Sequence, residues 1–190
     1  MSTAKVITIL GSPRKNGNCA ILTERVADGV RSMGGEVDGY YLHYMNISPC
    51  DGCDICQGET ETNCIIDDDM KNLYPRLREA DALLIASPIY YFTVTAQTKL
   101  FMDRCHALGG PQGYDLKGKR IGIVLTYGDS DPFDSGAENA IRTLQDIYNY
   151  IGAEIVGTVH ASAMEAGEIS SNLAVMSDAF KLGKKLATGI

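Results

Sequence analysis

The chain has 190 residues, apolar and charged in proportions ordinary for a globular protein, and a formal net charge of −7. The length suits one domain, 1–190, around a sizeable core, and the acidic balance excludes nucleic acid as the main partner, because phosphate binding needs a basic face. No apolar run approaches the roughly 20 residues of a membrane span, and the apolar opening is too short for a secretory signal; the expected setting is cytoplasmic, away from membranes, where thiols stay reduced.

In chain order, KVITIL (5–10) comes first, near-continuously apolar and β-branched, as a strand buried on both faces requires. Leu22, Val26, Val30 and Met33 step at helical spacing, and Gly34-Gly35 stops that helix. EVDGYYLH (36–43) is a second strand, interrupted by Asp38 and Gly39 and therefore placed at an edge. Residues 44–66 have no periodicity and form a long cysteine-rich loop, a length that in compact domains usually marks function. A helix fits 68–79, with Asp67 or Asp68 as cap and Pro75 as a kink.

DALLIAS (81–87) is the third strand, again doubly buried. Val94, Phe101, Cys105 and Leu108 share a helical face, and 109–119 is a Gly-rich connection. RIGIVLTY (120–127) is the fourth strand. Ala137, Ile141, Leu144, Tyr148 and Ile151 make the clearest helical stripe. AEIVGTVH (153–160), broken by Gly157, is a fifth strand at the other edge, and Leu173, Met176, Phe180 and Leu186 give a C-terminal helix. Strand and helix alternate throughout, so the expected fold is an open, doubly wound α/β sheet.

Ligands of such sheets bind at the carboxyl ends of the strands. GSPRKNGNCA follows the first strand there and opens onto a helix N-terminus, where free N–H groups and the helix dipole favour an anion. Ser12, Asn16 and Asn18 add donors, Gly17 lets the backbone approach, and Arg14 adds charge; the spacing is neither Walker A nor G-x-G-x-x-G. The plainer alternative is a Ser/Asn-rich turn with Asn18 as helix cap. Cys19 lies beside it, either acidified by the helix end or standing where Ser or Thr is usual.

GSPRKNGN together with ADALLIASPIYYFTVTAQTKLFMDR (80–104) resembles the NADPH-dependent FMN reductase and flavodoxin-like flavoprotein families. The resemblance implies a five-stranded parallel sheet in the order 2-1-3-4-5 and bound FMN. Its phosphate would lie in the first loop, and its ring along Ser87, Pro88, Ile89 and Tyr90, with Lys99, Phe101, Asp103 and Arg104 on the helix that follows. The residues themselves agree: Tyr90, Tyr91 and Phe92 offer aromatic faces to a flat ring, unless they only cover the core edge, and Pro88 stiffens the backbone beneath. Tyr127, Gly128 and Asp129 form a third loop at the same rim; Asp129 and Asp131 serve equally well as solvated turn residues.

Cys50, Cys53, Cys56 and Cys64 read C-x2-C-x2-C-x7-C. In a reducing compartment such a cluster binds metal or does redox chemistry more often than it forms disulfides. The first three are similar in spacing to a compact ferredoxin ligand run, Gly52 allows the turn, and zinc or free thiols remain open as alternatives. The loop further resembles the iron–sulfur flavoprotein branch of the family, as does Asp68-Asp69-Met70 after the last cysteine. That resemblance implies a 4Fe-4S cluster on the four cysteines near the FMN. It also implies NAD(P)H as a possible co-substrate, small-molecule or protein electron donors and acceptors, and a homodimer or homotetramer.

Cys105 reads as core, and His43, His106 and His160 stand isolated, with no catalytic or ligand spacing around them. No acid–base catalyst is expected, since a flavin brings its own chemistry. The expected activity is an FMN-dependent oxidoreductase that passes electrons through flavin and cluster. Its alternatives are an NAD(P)H-dependent FMN or quinone reductase without a cluster, and a non-enzymatic flavodoxin-like carrier.

Overall fold

The computed structural model describes residues 3–58 and 64–189; residues 59–63, inside the cysteine loop, lie outside the described residues together with Met1, Ser2 and Ile190. Five strands, β1 (Lys5–Leu10), β2 (Glu36–Tyr41), β3 (Ala82–Tyr90), β4 (Arg120–Tyr127) and β5 (Glu154–Ser162), lie parallel in the order β2-β1-β3-β4-β5. This is the flavodoxin-like doubly wound order, with its switch point between β1 and β3. The sheet is not strictly five-stranded. The chain doubles back after Tyr90, and Thr93–Val94 pairs antiparallel with the end of β3, setting Ile89 opposite Val94 and Tyr90 opposite Thr93.

The two-residue period of a strand divides the core in two. Ile7, Ile9, Leu83, Ile85, Ile121 and Ile123 face one side and meet Leu73 and Leu77 of α2 (Met70–Glu79) and Leu144 and Tyr148 of α4 (Ala137–Tyr150). Val6, Leu10, Leu84, Ala86 and Val124 face the other and meet Leu22 and Val26 of α1 (Asn18–Ser32) and Leu182 and Leu186 of α5 (Leu173–Thr188). Apolar residues of both parities are thus needed in β1, β3 and β4, which is why their sequences run almost continuously apolar. β2 and β5 are the edges, as their interruptions foretold.

Boundaries differ where tertiary partners decide them. β2 ends at Tyr41, and a 3-10 turn, Leu42–Tyr44, follows. α2 starts at Met70 and continues through Pro75; Asp68, not Asp67, accepts the Met70 N–H at its start. Val94 does not share a helix with Phe101. It belongs to the short antiparallel strand, and α3 (Ala96–Arg104) starts only after Thr95, whose hydroxyl accepts the Thr98 N–H. Cys105 and Leu108 lie in a 3-10 turn beyond α3. The Gly-rich connection forms a small hairpin of Gly109–Gly110 with Gly113–Tyr114. Among the described residues no helix is long and apolar enough to cross a membrane.

Candidate active site

The carboxyl ends of β1, β3, β4 and β5 meet at one rim, and a cleft of about 250 Å³ opens there. Ser12, Arg14, Gly17, Asn18 and Cys19 form one wall, Pro88, Ile89 and Tyr90 a second, and Tyr127 and Gly128 a third. The three loops anticipated from sequence are therefore brought together. Asn16, Tyr91, Phe92 and Asp129 lie outside that lining.

The first wall is built for an anion. Gly17 is the N-cap of α1 in extended conformation; no side chain caps the helix, and its first turn holds no acidic residue. The opening amides are thus left to a ligand, at the positive end of the dipole. The Ser12 hydroxyl accepts the Arg14 N–H at 3.1 Å, which curls the loop around that end. Asn18 is a strut rather than a loose donor. Its amide group donates to the carbonyls of Ala163 and Glu165 (3.2 and 2.9 Å), and its oxygen accepts the Ile169 N–H. Cys19 is buried in the core below, and burial pushes its thiol pKa far up against the lowering effect of Thr126, so the helix end does not acidify it.

A knot of buried hydroxyls joins the first wall to the second. Thr95 donates its hydroxyl to the Gly11 carbonyl at 2.8 Å and lies 2.9 Å from the Thr98 hydroxyl, while its N–H reaches Ser87 Oγ at 3.1 Å. Ser87, Thr95 and Thr98 are wholly buried. Each polar atom here has a partner, as burial demands. Tyr91 and Phe92 form the two-residue turn above, both with positive φ (49° and 70°). Gly136, at the start of α4, packs on that turn: a Cβ there would stand 2.4 Å from the Phe92 Cα. The turn aims Tyr91 outward, 95% exposed, and leaves Tyr90 to the cleft.

In the third wall Tyr127 is buried, and its hydroxyl pairs with His160 Nδ1 at 3.1 Å. Burial, with the charges of Asp131 and Glu138, raises its pKa, so the phenol keeps its proton at neutral pH. Asp129 and Asp131 bond the N–H groups of Ser130 and Phe133 in their own turn, as solvated turn residues do. The other two histidines are not isolated either: His106 pairs with Asp54 at 3.5 Å, and His43 meets the Gln97 amide at 3.3 Å.

Sequence reasoning missed a fourth wall, Ala163, Met164 and Ala166 after β5, held by Asn18 and by the Glu168 carboxylate, which accepts the Met164 and Glu165 N–H groups. Nothing in that stretch has a motif. Thr126 was missed as well, and so were Thr95 and Thr98, although a Thr whose hydroxyl accepts the N–H three residues on is a capping pattern.

The cysteine loop hangs beside this rim on polar ties. Asp69 accepts the Asn46 N–H at 2.7 Å, Asp68 accepts the Ser48 N–H at 2.9 Å, and Gln57 donates to the carbonyls of His106 and Gly109. Gly52 turns with φ +68°, as its place between cysteines anticipated. Cys56 and Cys64 pack against the core, whereas Cys50 and Cys53 are exposed, and all six cysteines are free thiols. An Ile55 N–H lowers the Cys53 pKa, but the Asp51 carboxylate and the neighbouring charges of Asp51 and Cys64 outweigh it, and the net shift is upward. Among the described residues no three Cys, His, Asp or Glu side chains converge as a ready metal cage.

One buried cation serves this loop. The Arg104 and Asp68 side chains are wholly buried and paired; Arg104 also donates to the Ser48 carbonyl at 2.9 Å and to Cys64 Sγ at 3.4 Å. Its Nε has no partner among the described residues. Burial alone would raise the Asp68 pKa, but the guanidinium and the N–H groups of Ser48 and Met70 hold it below the usual carboxylate range. Four thiols on one loop, two of them core-facing and one held by a buried cation with an unmet N–H, form a donor set that suits an anionic iron–sulfur cluster.

The model of the NADPH-dependent FMN reductase family matches residues 4–167. An iron–sulfur flavoprotein of Methanosarcina thermophila is 32% identical over 80% of this chain and 77% of its own length. Another, from Methanocaldococcus jannaschii, is 30% identical over 96% and 95%. Among solved structures, an NAD(P)H:quinone oxidoreductase from Methanothermobacter marburgensis superposes with a TM-score of 0.74 at 16% identity, covering 97% of this chain and 98% of the other, a likeness of fold alone.

Proposed function

Given that the chain belongs to the NADPH-dependent FMN reductase family and is a flavin-dependent oxidoreductase, we propose that it holds FMN in the rim cleft and a 4Fe-4S cluster on Cys50, Cys53, Cys56 and Cys64. Through them it passes electrons between a reduced donor, with NAD(P)H as a candidate, and a small-molecule or protein acceptor. The observation that carries the flavin reading is the uncapped start of α1 facing Pro88, Ile89 and Tyr90 across one cleft. Bound FMN supplies the hydride and single-electron chemistry, and a bound cluster supplies one-electron transfer.

The chain's own residues bind and orient. The amides of Asn18 and Cys19, with Ser12 and Arg14, take the phosphate; Asn16 is close enough in sequence to join them. Pro88, Ile89 and Tyr90 flank the ring, and Tyr127 and Gly128 close the far side. Tyr91 and Phe92 face outward, where an acceptor or a second copy approaches the ring edge; with Phe133 and Met164 also exposed, a homodimer or homotetramer is the expected assembly. Light scattering that shows a monomer at micromolar concentration contradicts that assembly.

The alternative is an NAD(P)H-dependent FMN or quinone reductase without a cluster. Anaerobic purification with flavin, iron and sulfide analysis separates the two. Denatured protein is expected to release FMN, and native protein to contain iron and sulfide in similar amounts. Cys53→Ala should lose the cluster's broad absorption and keep the flavin bands, whereas Cys105→Ala keeps both. Wild-type protein that takes up FMN but no iron leaves the simpler reductase as the better account. Failure to take up FMN sinks both.

A further inference from the structure

Arg104 is wholly buried at the end of α3, and the family activity alone gives it no task. Arginine is rarely buried unless paired. Its partners here span the cysteine loop: the Ser48 carbonyl just before Cys50, Cys64 Sγ at the last cysteine, and Asp68 just after it. Tyr74 clamps the other side by donating its hydroxyl to the Arg104 carbonyl at 2.9 Å. A simple structural ion pair needs only Asp68. That carboxylate takes both terminal nitrogens of the guanidinium and also accepts the N–H groups of Ser48 and Met70, yet the guanidinium reaches beyond it. One guanidinium N–H is spent on a sulfur atom, and Nε has no partner among the described residues.

We propose that Arg104 is a positioning residue for the cluster: it fixes Cys64 from behind and stabilises the cluster's reduced state, which sets a higher reduction potential than the loop alone would give. This rests on the cluster reading above. A cluster held by four thiolates carries negative charge, and more of it after one-electron reduction. The guanidinium is the positive end of the buried pair and the end that touches a ligand sulfur, and its N–H···S contact favours the more negative state. The charge lies out of water, so bulk salt screens it weakly.

The test is the midpoint potential of the cluster in anaerobically reconstituted, FMN-loaded protein. Arg104→Lys keeps a charge but not the planar fork that reaches Ser48, Cys64 and Asp68 at once. The double variant Arg104→Gln with Asp68→Asn removes both charges and leaves no uncompensated ion. The expected result in the double variant is a potential more negative by at least tenfold in the reduction constant, about 59 mV for a one-electron couple, with a smaller shift in Arg104→Lys.

A loaded double variant with the wild-type potential overturns the proposal and leaves the cluster reading standing. Wild-type protein that takes up no iron overturns both. If the double variant keeps FMN and a native melting transition but no longer holds iron, the result supports the hold on Cys64. If it loses FMN and fold together, Arg104 is a structural pillar and the proposal fails.

Discussion

The rim cleft and the cysteine loop are neighbours, but different forces shape them. The cleft is a product of topology: four parallel strands end at one edge, and wholly buried hydroxyls of Ser87, Thr95 and Thr98 lock their loops together. Its shape therefore exists before any ligand arrives. Among its described residues the loop has no strand pairing and only a 3-10 turn, Ile55–Gln57, and Asp68, Asp69, Gln57 and Arg104 tie it to the fold. Cys50 and Cys53 are exposed. A pocket for an organic cofactor can be preformed by packing, whereas a thiolate cage is completed by its metal, whose binding is coupled to the folding of the loop.

The largest expected effect tests how much of the loop's hold on the fold comes from the Arg104–Asp68 pair. Arg104→Ala leaves the Asp68 carboxylate buried without its cation, a loss on the order of 3–5 kcal/mol that chemical denaturation reads. The same pair predicts an acid response. Asp68 is depressed in the folded state, so its contribution is complete above the ordinary carboxylate pKa and is lost as pH falls below about 4. Wild-type stability should fall on acidification more steeply than that of Asp68→Asn. Equal slopes would show that the pair does not hold the loop.

The cleft should respond differently. Arg14 is exposed, outside the core, and on the cleft wall. Arg14→Ala should weaken FMN binding by about 1.5–3 kcal/mol, the range for a charge-assisted hydrogen bond, while the melting temperature of the flavin-free protein stays as it was. Isothermal titration with FMN measures the first and calorimetry the second. If the apoprotein is destabilised as much as binding is weakened, the cleft is not preformed, and the contrast with the cysteine loop fails.

How far each region was legible follows from the same physics. β1, β3 and β4 were readable because double burial forces apolar residues at every position, and β2 and β5 because an edge tolerates Asp38 and Gly157. The phosphate and Ser-Pro-Ile-Tyr loops were readable because strand ends in such sheets are where ligands bind. Thr95, Met164 and the strut contacts of Asn18 were not, since these come from partners distant in sequence: Gly11, Gly128 and Ala163 respectively. The burial of Arg104 left a fainter mark. Phe101 and Arg104 step by three on the buried side of α3, so the cation stands on an apolar face.

The smallest expected effect uses the neighbour of that cation. Lys99 and Asp103 lie in the same short motif and form an (i, i+4) ion pair on α3 at 2.5 Å, but their side chains are 57% and 45% exposed. Water screens both charges whether or not they pair, and holding two long side chains in register costs entropy, so such pairs contribute only about 0.3–0.5 kcal/mol. Asp103→Asn should therefore shift stability by no more than that, and the shift should vanish in high salt. Arg104 is one residue further on and turned inward, so its loss should exceed this several-fold and resist salt. Denaturation of both variants at low and high ionic strength makes the comparison within a single helix. Equal salt sensitivity would mean that the Arg104 pair is open to water and that the loop is held by something else.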